Sequence, residues 1–507
     1  MTPLAAATRR VLLLAVDAHR DDPQTARRLH RELRRLDEPL RVAVAGRVKA
    51  GKSTLLNALV GEQVAPTDAG ECTRVVTWYR DGAAPRIVLH PHRGEPRGLP
   101  VRRNDGALTI DLGGTSADDC ARLVVDWPAQ SLRATTLIDT PGLASRSTAV
   151  SRRTVDFLAL DPDADPVADA PTEADAVVYL MRHVHAQDAA FLEAFRDRGV
   201  GRTSAVNAVA VLSRADEIGG GRVDAMFSAR GIAARHRADP TVRGLCQDVV
   251  AVAGLLAETG RTLRHAEHTA LAALAVRPRE DLERELLSVD RFLRAGADDR
   301  GSASGATGAG GVAGPVRERL LERFGLFGIR LSTQLIRQGA ETPAALAGEL
   351  VAGSGLRELE QVVHTRFTQR RDALKARSAL RVVEGVLRAG RGRGAQTLAR
   401  EIEKALAGAH ELTELRLLGA LRSGSVALPR SDAAEGERLL GDAGTAPAAR
   451  LGLPDEAPAE ALRPAAFRAL DRWQRHAVNP LLGRASAEAC RAVVRSCEGV
   501  VAALPRP

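Results

Sequence analysis

Residues 40 to 60, LRVAVAGRVKAGKSTLLNALV, leave a chain little choice of fold. An apolar run of strand length meets Gly46, and a second glycine, Gly51, precedes an apolar pattern with helical spacing. A strand that turns through glycines straight into a helix opens a βαβ unit, because a helix must carry the chain back across a parallel sheet. Gly46 to Ser53 also fits the pattern GxxxxGK[ST]. In that setting backbone N–H groups turn inward around phosphate oxygens, and the helix N-terminus adds its positive end. Lys52 supplies a compact charge to the phosphates, Ser53 offers a hydroxyl to Mg²⁺, and Ala50, Gly51 and Thr54 complete the phosphate-binding turn. Only four of the 72 Lys and Arg residues are lysines, and two of them, Lys49 and Lys52, stand in this one stretch.

Short apolar runs alternate with helical stretches as far as residue 264. Strands are expected at 41–45, 75–79, 134–139, 175–181, 206–212 and 248–253, and helices at 52–61, 187–197 and 221–236. That pattern implies an α/β P-loop domain over 38–264, a mostly parallel sheet with flanking helices. Residues 83–130 fit less well and read as an inserted hairpin around ALTIDL and ARLVVDW, while the acidic, proline-rich 161–171 reads as a loop. Beyond 264 the strand signal stops. Residues 265–507 read as an all-α neck and trunk bundle with a flexible linker at 301–315, and the helix within 1–37 is expected to pack back onto it.

The net charge of +9 is spread as arginines along helix faces, and with 3% aromatic residues no stacking platform for bases is evident. No nucleic-acid partner is therefore expected. Five dispersed cysteines without metal-ligand spacing suit reduced thiols and a cytoplasmic protein. No secretory signal is expected, and no run approaches the roughly 18 apolar residues of a spanning helix. Any membrane contact should be peripheral.

Three further segments follow the phosphate loop in order. LIDTPG, 137–142, is a strand ending in an acid; Asp139 would hold Mg²⁺ through water, and the Gly142 N–H would meet the γ-phosphate. AVLSRADEI, 210–218, places Ser213, Arg214 and Asp216 just past a strand. A carboxylate there can accept both the N1–H and the exocyclic amine of guanine, so the set reads as a variant of [NT]KxD with Ser213 and Arg214 substituted. VAVAGLL, 250–256, offers the Ala253 or Gly254 N–H to the guanine oxygen. Of Thr67, Thr73 and Thr77 in VAPTDAGECTRVVTWY, Thr73 is best placed to reach Mg²⁺ and the γ-phosphate.

PTDAGECTR at that spacing resembles the switch region of dynamin-superfamily GTPases, and the layout of helix, GTPase domain and helical trunk is similar. GRVKAGKSTLLNALVGEQVAPTDA, SRADEIGGGRVDAMFSA, LLSVDRFLR and LLERFGLFGIRLS resemble the isoniazid-inducible Ini proteins of mycobacteria, of the shorter Ini-C type. The resemblance implies GTP hydrolysis with Mg²⁺, pairing of GTPase domains or with a paralogous dynamin-like protein, and work at the inner face of the membrane. Carried over by position, Ser53, Thr73 and Asp139 serve the metal, and Lys52, Thr73 and Gly142 serve catalysis. Two departures stand out: Val48 where dynamins carry glutamine, and Lys49 where they carry a serine that helps hold a monovalent cation. Lys49 is thus a candidate to replace that cation, against the plainer readings of a solvent-facing lysine or a dimer contact.

Dynamin-like trunks meet lipid at their tip, and the candidate here is the turn LRAGRGRGAQ, 387–396, with Arg388, Arg391 and Arg393 facing anionic head groups; a plain soluble turn is the alternative. FGLFGIRL, 324–331, has the spacing of bundle core, with Gly325 and Gly328 allowing a close helix contact or a hinge. The alternative to a membrane-remodelling GTPase is a weakly hydrolysing GTP-binding scaffold for a paralogue.

Overall fold

A computed structural model of the chain describes residues 2–66, 74–141, 173–182, 188, 189, 192, 207–298, 311–388 and 395–505. The sequence readings for Thr67, Thr73, Gly142, 161–171, Arg391 and Arg393, and most of the helix at 187–197, lie outside those residues.

Eleven strands are described: β1 Leu40–Gly46, β2 Thr77–Asp81, β3 Arg86–Pro91, β4 Arg97–Leu99, β5 Arg102–Asn104, β6 Ala107–Thr109, β7 Cys120–Trp127, β8 Thr135–Asp139, β9 Ala176–Met181, β10 Ala208–Ser213 and β11 Val249–Val252. Nine form one sheet in the order β11-β10-β9-β1-β8-β2-β7-β3-β4. From β11 to β8 every pairing is parallel. β2 then runs antiparallel to β8 and parallel to β7, and β3 closes antiparallel pairs with β7 and β4. Parallel strands covered on both faces read as unbroken apolar runs, which is why β1, β9 and β10 are legible as strands: every residue in them is buried. Their side chains alternate between two cores. Val42 and Val44 pack with Leu55 and Leu56 of the helix Lys52–Val60, while Ala43 and Ala45 pack toward Met226 and Ala229 of the helix Ala225–Ala238.

The insertion differs from a simple hairpin. β7, the ARLVVDW segment, is buried along most of its length and joins the main sheet between β2 and β3. ALTIDL pairs instead with β5 and turns Leu108, Ile110 and Leu112 onto the core.

Packing does not break at residue 264. The helices His265–Val276 and Gly314–Arg337 join the core under the Ala43 face, and Leu356 and Leu359 of the helix Leu356–Arg366 join the opposite core. Gly355 lies so close to the Ala251 carbonyl that any Cβ would overlap it. The first part of the helical region therefore wraps the sheet. Phe324 and Phe327 are buried in that core, Leu331 packs partly buried against it, and FGLFGIRL is interior rather than a lipid-facing segment. The expected linker also shortens: Val312 is buried and Gly314 opens a helix, so 311–315 belongs to the packed structure.

The N-terminal segment is two helices, Pro3–Ala18 and Pro23–Arg35, divided where Asp22 caps the second and Pro23 takes its first position. Val11, Leu12 and Leu29 pack against Leu380 and Val383 of the helix Arg371–Arg388. Lys375 donates to the Arg35 carbonyl at 2.6 Å and to the Glu38 carbonyl, and Arg35 pairs with Asp175 at 2.8 Å, fastening this hairpin beneath β1 and β9. The C-terminal helices Ala459–Ala477 and Arg484–Ala503 close a separate core around the fully buried Trp473. Arg388 is the exposed last residue of its helix, facing Glu384 at 3.7 Å.

Candidate nucleotide site

The sheet places its candidate site at the C-terminal end of β1, between β9 and β8, where chains leaving parallel strands diverge and ligands are commonly received. Gly46 ends β1 with φ 148°, and a Cβ there would lie 2.5 Å from the Leu180 carbonyl of β9. Only glycine lets the loop leave the strand this close to its neighbour. The loop then passes Lys49, in the left-handed region at φ 63°, and Gly51 at φ 91° before the helix Lys52–Val60 begins. A lysine in that region is strained, and a strained non-glycine residue in a phosphate loop is a mark of a site held by its surroundings. One holder is visible: Arg214 Nη2 donates to the Lys49 carbonyl at 3.0 Å.

Ser53 Oγ donates to Asp139 Oδ2 at 3.0 Å, joining the helix start to the end of β8. Asp139 Oδ1 is buried with no hydrogen-bond partner among the described residues. A buried carboxylate oxygen with spare acceptor capacity beside a serine hydroxyl is the donor set of a hard cation such as Mg²⁺, and these residues fit it. Burial pushes the Asp139 carboxyl above the usual range, opposed by the Lys52 charge and the Ser53 hydrogen bond. Burial pushes the Lys52 amine down, opposed by Asp139. Lys52 Nζ reaches back to the Arg47 carbonyl at 3.4 Å. Thr77 sits in β2 with its hydroxyl turned to the Val75 carbonyl at 3.3 Å, so it does not serve the site.

A cavity of about 150 Å³ adjoins the loop, lined by Gly51, Thr54, Ser213, Asp216, Gly254 and Leu255 among others. The structure thus brings together the phosphate loop and both segments expected to read the base. Burial raises the Asp216 carboxyl, with Glu217 adding to the rise and Arg214 opposing it. Arg214, itself at φ 53°, spans from Glu217 at 2.5 Å to the phosphate loop. Ser213 lines the cavity while its hydroxyl donates to the Met181 carbonyl at 3.2 Å, so it also fastens β10 to β9. One expectation is corrected: the Ala253 N–H donates to the Ser354 carbonyl at 2.9 Å and is not free for a base. Gly254, at the first turn of the helix Gly254–Arg261, keeps that role open.

Two residues that motif reading passes over organise the site from behind. Asn57, buried on the apolar face of its helix, accepts from the Val64 and Ala65 N–H groups at 2.9 and 2.7 Å and donates to the Ala65 carbonyl at 3.0 Å. That fixes the chain just before the expected switch segment. Glu258, also buried, accepts from Asn57 at 3.3 Å and Gln63 at 2.9 Å. A lone amide inside LLNALV was the available signal, since a buried polar side chain must find partners.

Comparison with known proteins places the chain in a family. Residues 42–95 match the Dynamin family. The chain is 41% identical over 500 residues to the isoniazid-induced protein IniC of Mycobacterium tuberculosis, covering 97% of this chain and 97% of that protein. It belongs to the IniC family. A bacterial dynamin-like protein of Nostoc punctiforme is 33% identical over 114 residues, spanning 20% of this chain and 16% of its own. A solved structure of an oligomerised bacterial dynamin pair covers 79% of both chains at 13% identity, with a TM-score of 0.30. This IniC-family chain is a dynamin-like GTPase, and GTP is its substrate.

Proposed function

We propose that this chain hydrolyses GTP to GDP and phosphate with Mg²⁺, in a cycle coupled to pairing of its nucleotide domains and to work on the inner face of a membrane. The observation carrying the metal and phosphate part is the Ser53–Asp139 contact with its unpartnered buried oxygen. Bound there, Mg²⁺ would neutralise charge developing between the β- and γ-phosphates. Ser53, Thr73 and, through water, Asp139 would hold it. Lys52 and the loop N–H groups grip the phosphates, and the Gly142 N–H orients the γ-phosphate for in-line attack by water, with no covalent intermediate. Asp216 selects guanine, aided by the Gly254 N–H.

Lys49 deepens this reading. Its strained backbone is pinned by Arg214, and its side chain is exposed at the mouth of the loop. There it supplies a fixed positive charge in place of a bound K⁺.

For the membrane, Arg388 is the one of the three candidate arginines that lies among the described residues, and a second exposed surface is a further candidate. The turn between the two last helices, VNPLLG, leaves Val478 78% and Leu481 91% exposed, flanked by Arg475 and Arg484. Apolar tips suit insertion at a bilayer surface, and Arg475 and Arg484, paired with Asp471 at 3.1 Å and Glu488 at 3.2 Å, would have to exchange those partners to meet anionic head groups. Among the described residues no helix is long and apolar enough to cross a membrane.

One experiment tests the set: GTP turnover against protein concentration, with and without anionic vesicles, in K⁺ or Na⁺. Turnover per molecule is expected to rise with concentration and with vesicles, and to ignore the monovalent cation. Leu481→Asp should lose the vesicle response alone, while Lys49→Ala should lower kcat about a hundredfold with little change in nucleotide affinity. Turnover that is weak and flat in every condition would leave only a weakly hydrolysing GTP-binding scaffold for a paralogue, and a strict K⁺ requirement would remove the role given to Lys49.

A further inference from the structure

The helix Gly314–Arg337 is not straight. Gly325, at φ 61° and ψ 176°, breaks it midway, a conformation that side-chain-bearing residues rarely adopt. At the break the Arg323 carbonyl accepts from the buried Thr259 hydroxyl at 2.8 Å, and Thr259 belongs to the helix that begins at Gly254. A Cβ at Gly325 would lie 3.7 Å from Leu255 Cδ2, and Leu255 lines the cavity beside Asp216. The segment above the break therefore backs the loop after β11.

The segment below the break holds the other base-reading loop. Arg330 donates through Nη1 to the Gly221 carbonyl and through Nη2 to the Leu286 carbonyl at 2.8 Å. Gly219, Gly220 and Gly221, with φ of 65°, 76° and 71°, fold the chain back so that a Cβ at Gly221 would lie 3.5 Å from the Asp216 carbonyl and 3.9 Å from Phe327 Cβ. One broken helix thus touches both loops that define the base end of the cavity.

Arg330 makes no ion pair among the described residues, and burial lowers its pKa, with Glu283 opposing. The Arg330 hydrogen bonds go to backbone carbonyls and, among the described residues, to no carboxylate. What its planar fork does supply is orientation, two acceptors held at a fixed angle. We propose that Arg330 is a positioning residue for base selection, clamping the Asp216 loop at a set distance from the Gly254 loop through the helix broken at Gly325. The inference rests on the reading that Asp216 accepts from guanine N1–H and its exocyclic amine.

The test uses the full chain and two probes, fluorescently labelled GDP and IDP, whose base lacks the exocyclic amine. Wild type should hold GDP at least tenfold more tightly than IDP; a ratio near one would overturn the Asp216 reading itself, before any variant is compared. Given that preference, Arg330→Met should release GDP about tenfold faster and bring the GDP-to-IDP ratio close to one, with the melting temperature little changed. Arg330→Lys, which reaches a single carbonyl, should fall between, and it keeps the test open if the methionine variant folds poorly. A GDP-to-IDP ratio at the wild-type value in both variants would refute the clamp, as would losses equal for both nucleotides that merely follow the melting temperature.

Discussion

Lys52→Ala is expected to reduce GTP turnover about a thousandfold and to weaken binding of GTP far more than it lowers stability. The ammonium sits at the first position of its helix, where it meets phosphate charge together with the helix N-terminus, and removing one well-placed donor of this kind typically costs two to three orders of magnitude in rate. A second consequence compounds the first. Burial already drives the Asp139 carboxyl upward, and the Lys52 charge is the larger of the two groups holding it down. Without Lys52 the carboxyl stays protonated to higher pH, so Mg²⁺ dependence in the variant should shift to higher metal concentration and recover partly as pH rises. Single-turnover assays across pH and Mg²⁺ concentration measure both. Turnover within tenfold of wild type would place the phosphates elsewhere.

Asp216→Asn should exchange the substrate. As proposed, the carboxylate accepts two hydrogen bonds from guanine, from N1–H and the exocyclic amine; an asparagine amide offers one acceptor and one donor, which suits xanthine, whose C2 carries a carbonyl. A site built to satisfy a buried polar group rejects an unmatched partner by several orders of magnitude. GTP turnover at low substrate should fall about a thousandfold and XTP turnover should rise by a comparable factor, read by steady-state kinetics with both nucleotides. The Asp216 carboxyl is half-buried and pushed upward by that burial, so the amide fits without a charge to compensate, and folding should be unaffected. An unchanged preference for GTP would show that Asp216 does not touch the base.

Sequence alone reaches different parts of this molecule unequally. The parallel strands are legible because burial on both faces writes them as the near-continuous apolar runs VAVAG, VVYLM and AVAVLS, with no charged residue to blur them. The phosphate loop is legible because its glycines answer steric demands, as the 2.5 Å approach at Gly46 makes plain. The division of the N-terminal helix at Asp22-Pro23 was equally available, an acid cap followed by proline, but helical spacing on either side masks it. Other features depend on partners distant in sequence. The Ala253 N–H is spoken for by Ser354, about a hundred residues further along the chain, and no local pattern announces it. The place of β7 between β2 and β3 is set by which apolar edge remains open in three dimensions. Gly325 and Gly328 are legible as a close contact or a hinge, but not which is which, because a helix interior tolerates either glycine at a cost of about 1 kcal/mol; Gly325 makes the break and Gly328 the close approach. The exposed tip at Val478 and Leu481 has no periodicity to mark it, and only burial of the surrounding helices singles it out.

Titration calorimetry of the purified full chain with Mg²⁺ and either GDP or ADP addresses the central claim most directly, that a phosphate grip around Lys52, Ser53 and Asp139 is joined to a base pocket governed by Asp216. GDP should bind at one site with an affinity at least about a hundredfold above that for ADP. Absence of heat with GDP, or equal affinity for the two nucleotides, would contradict it.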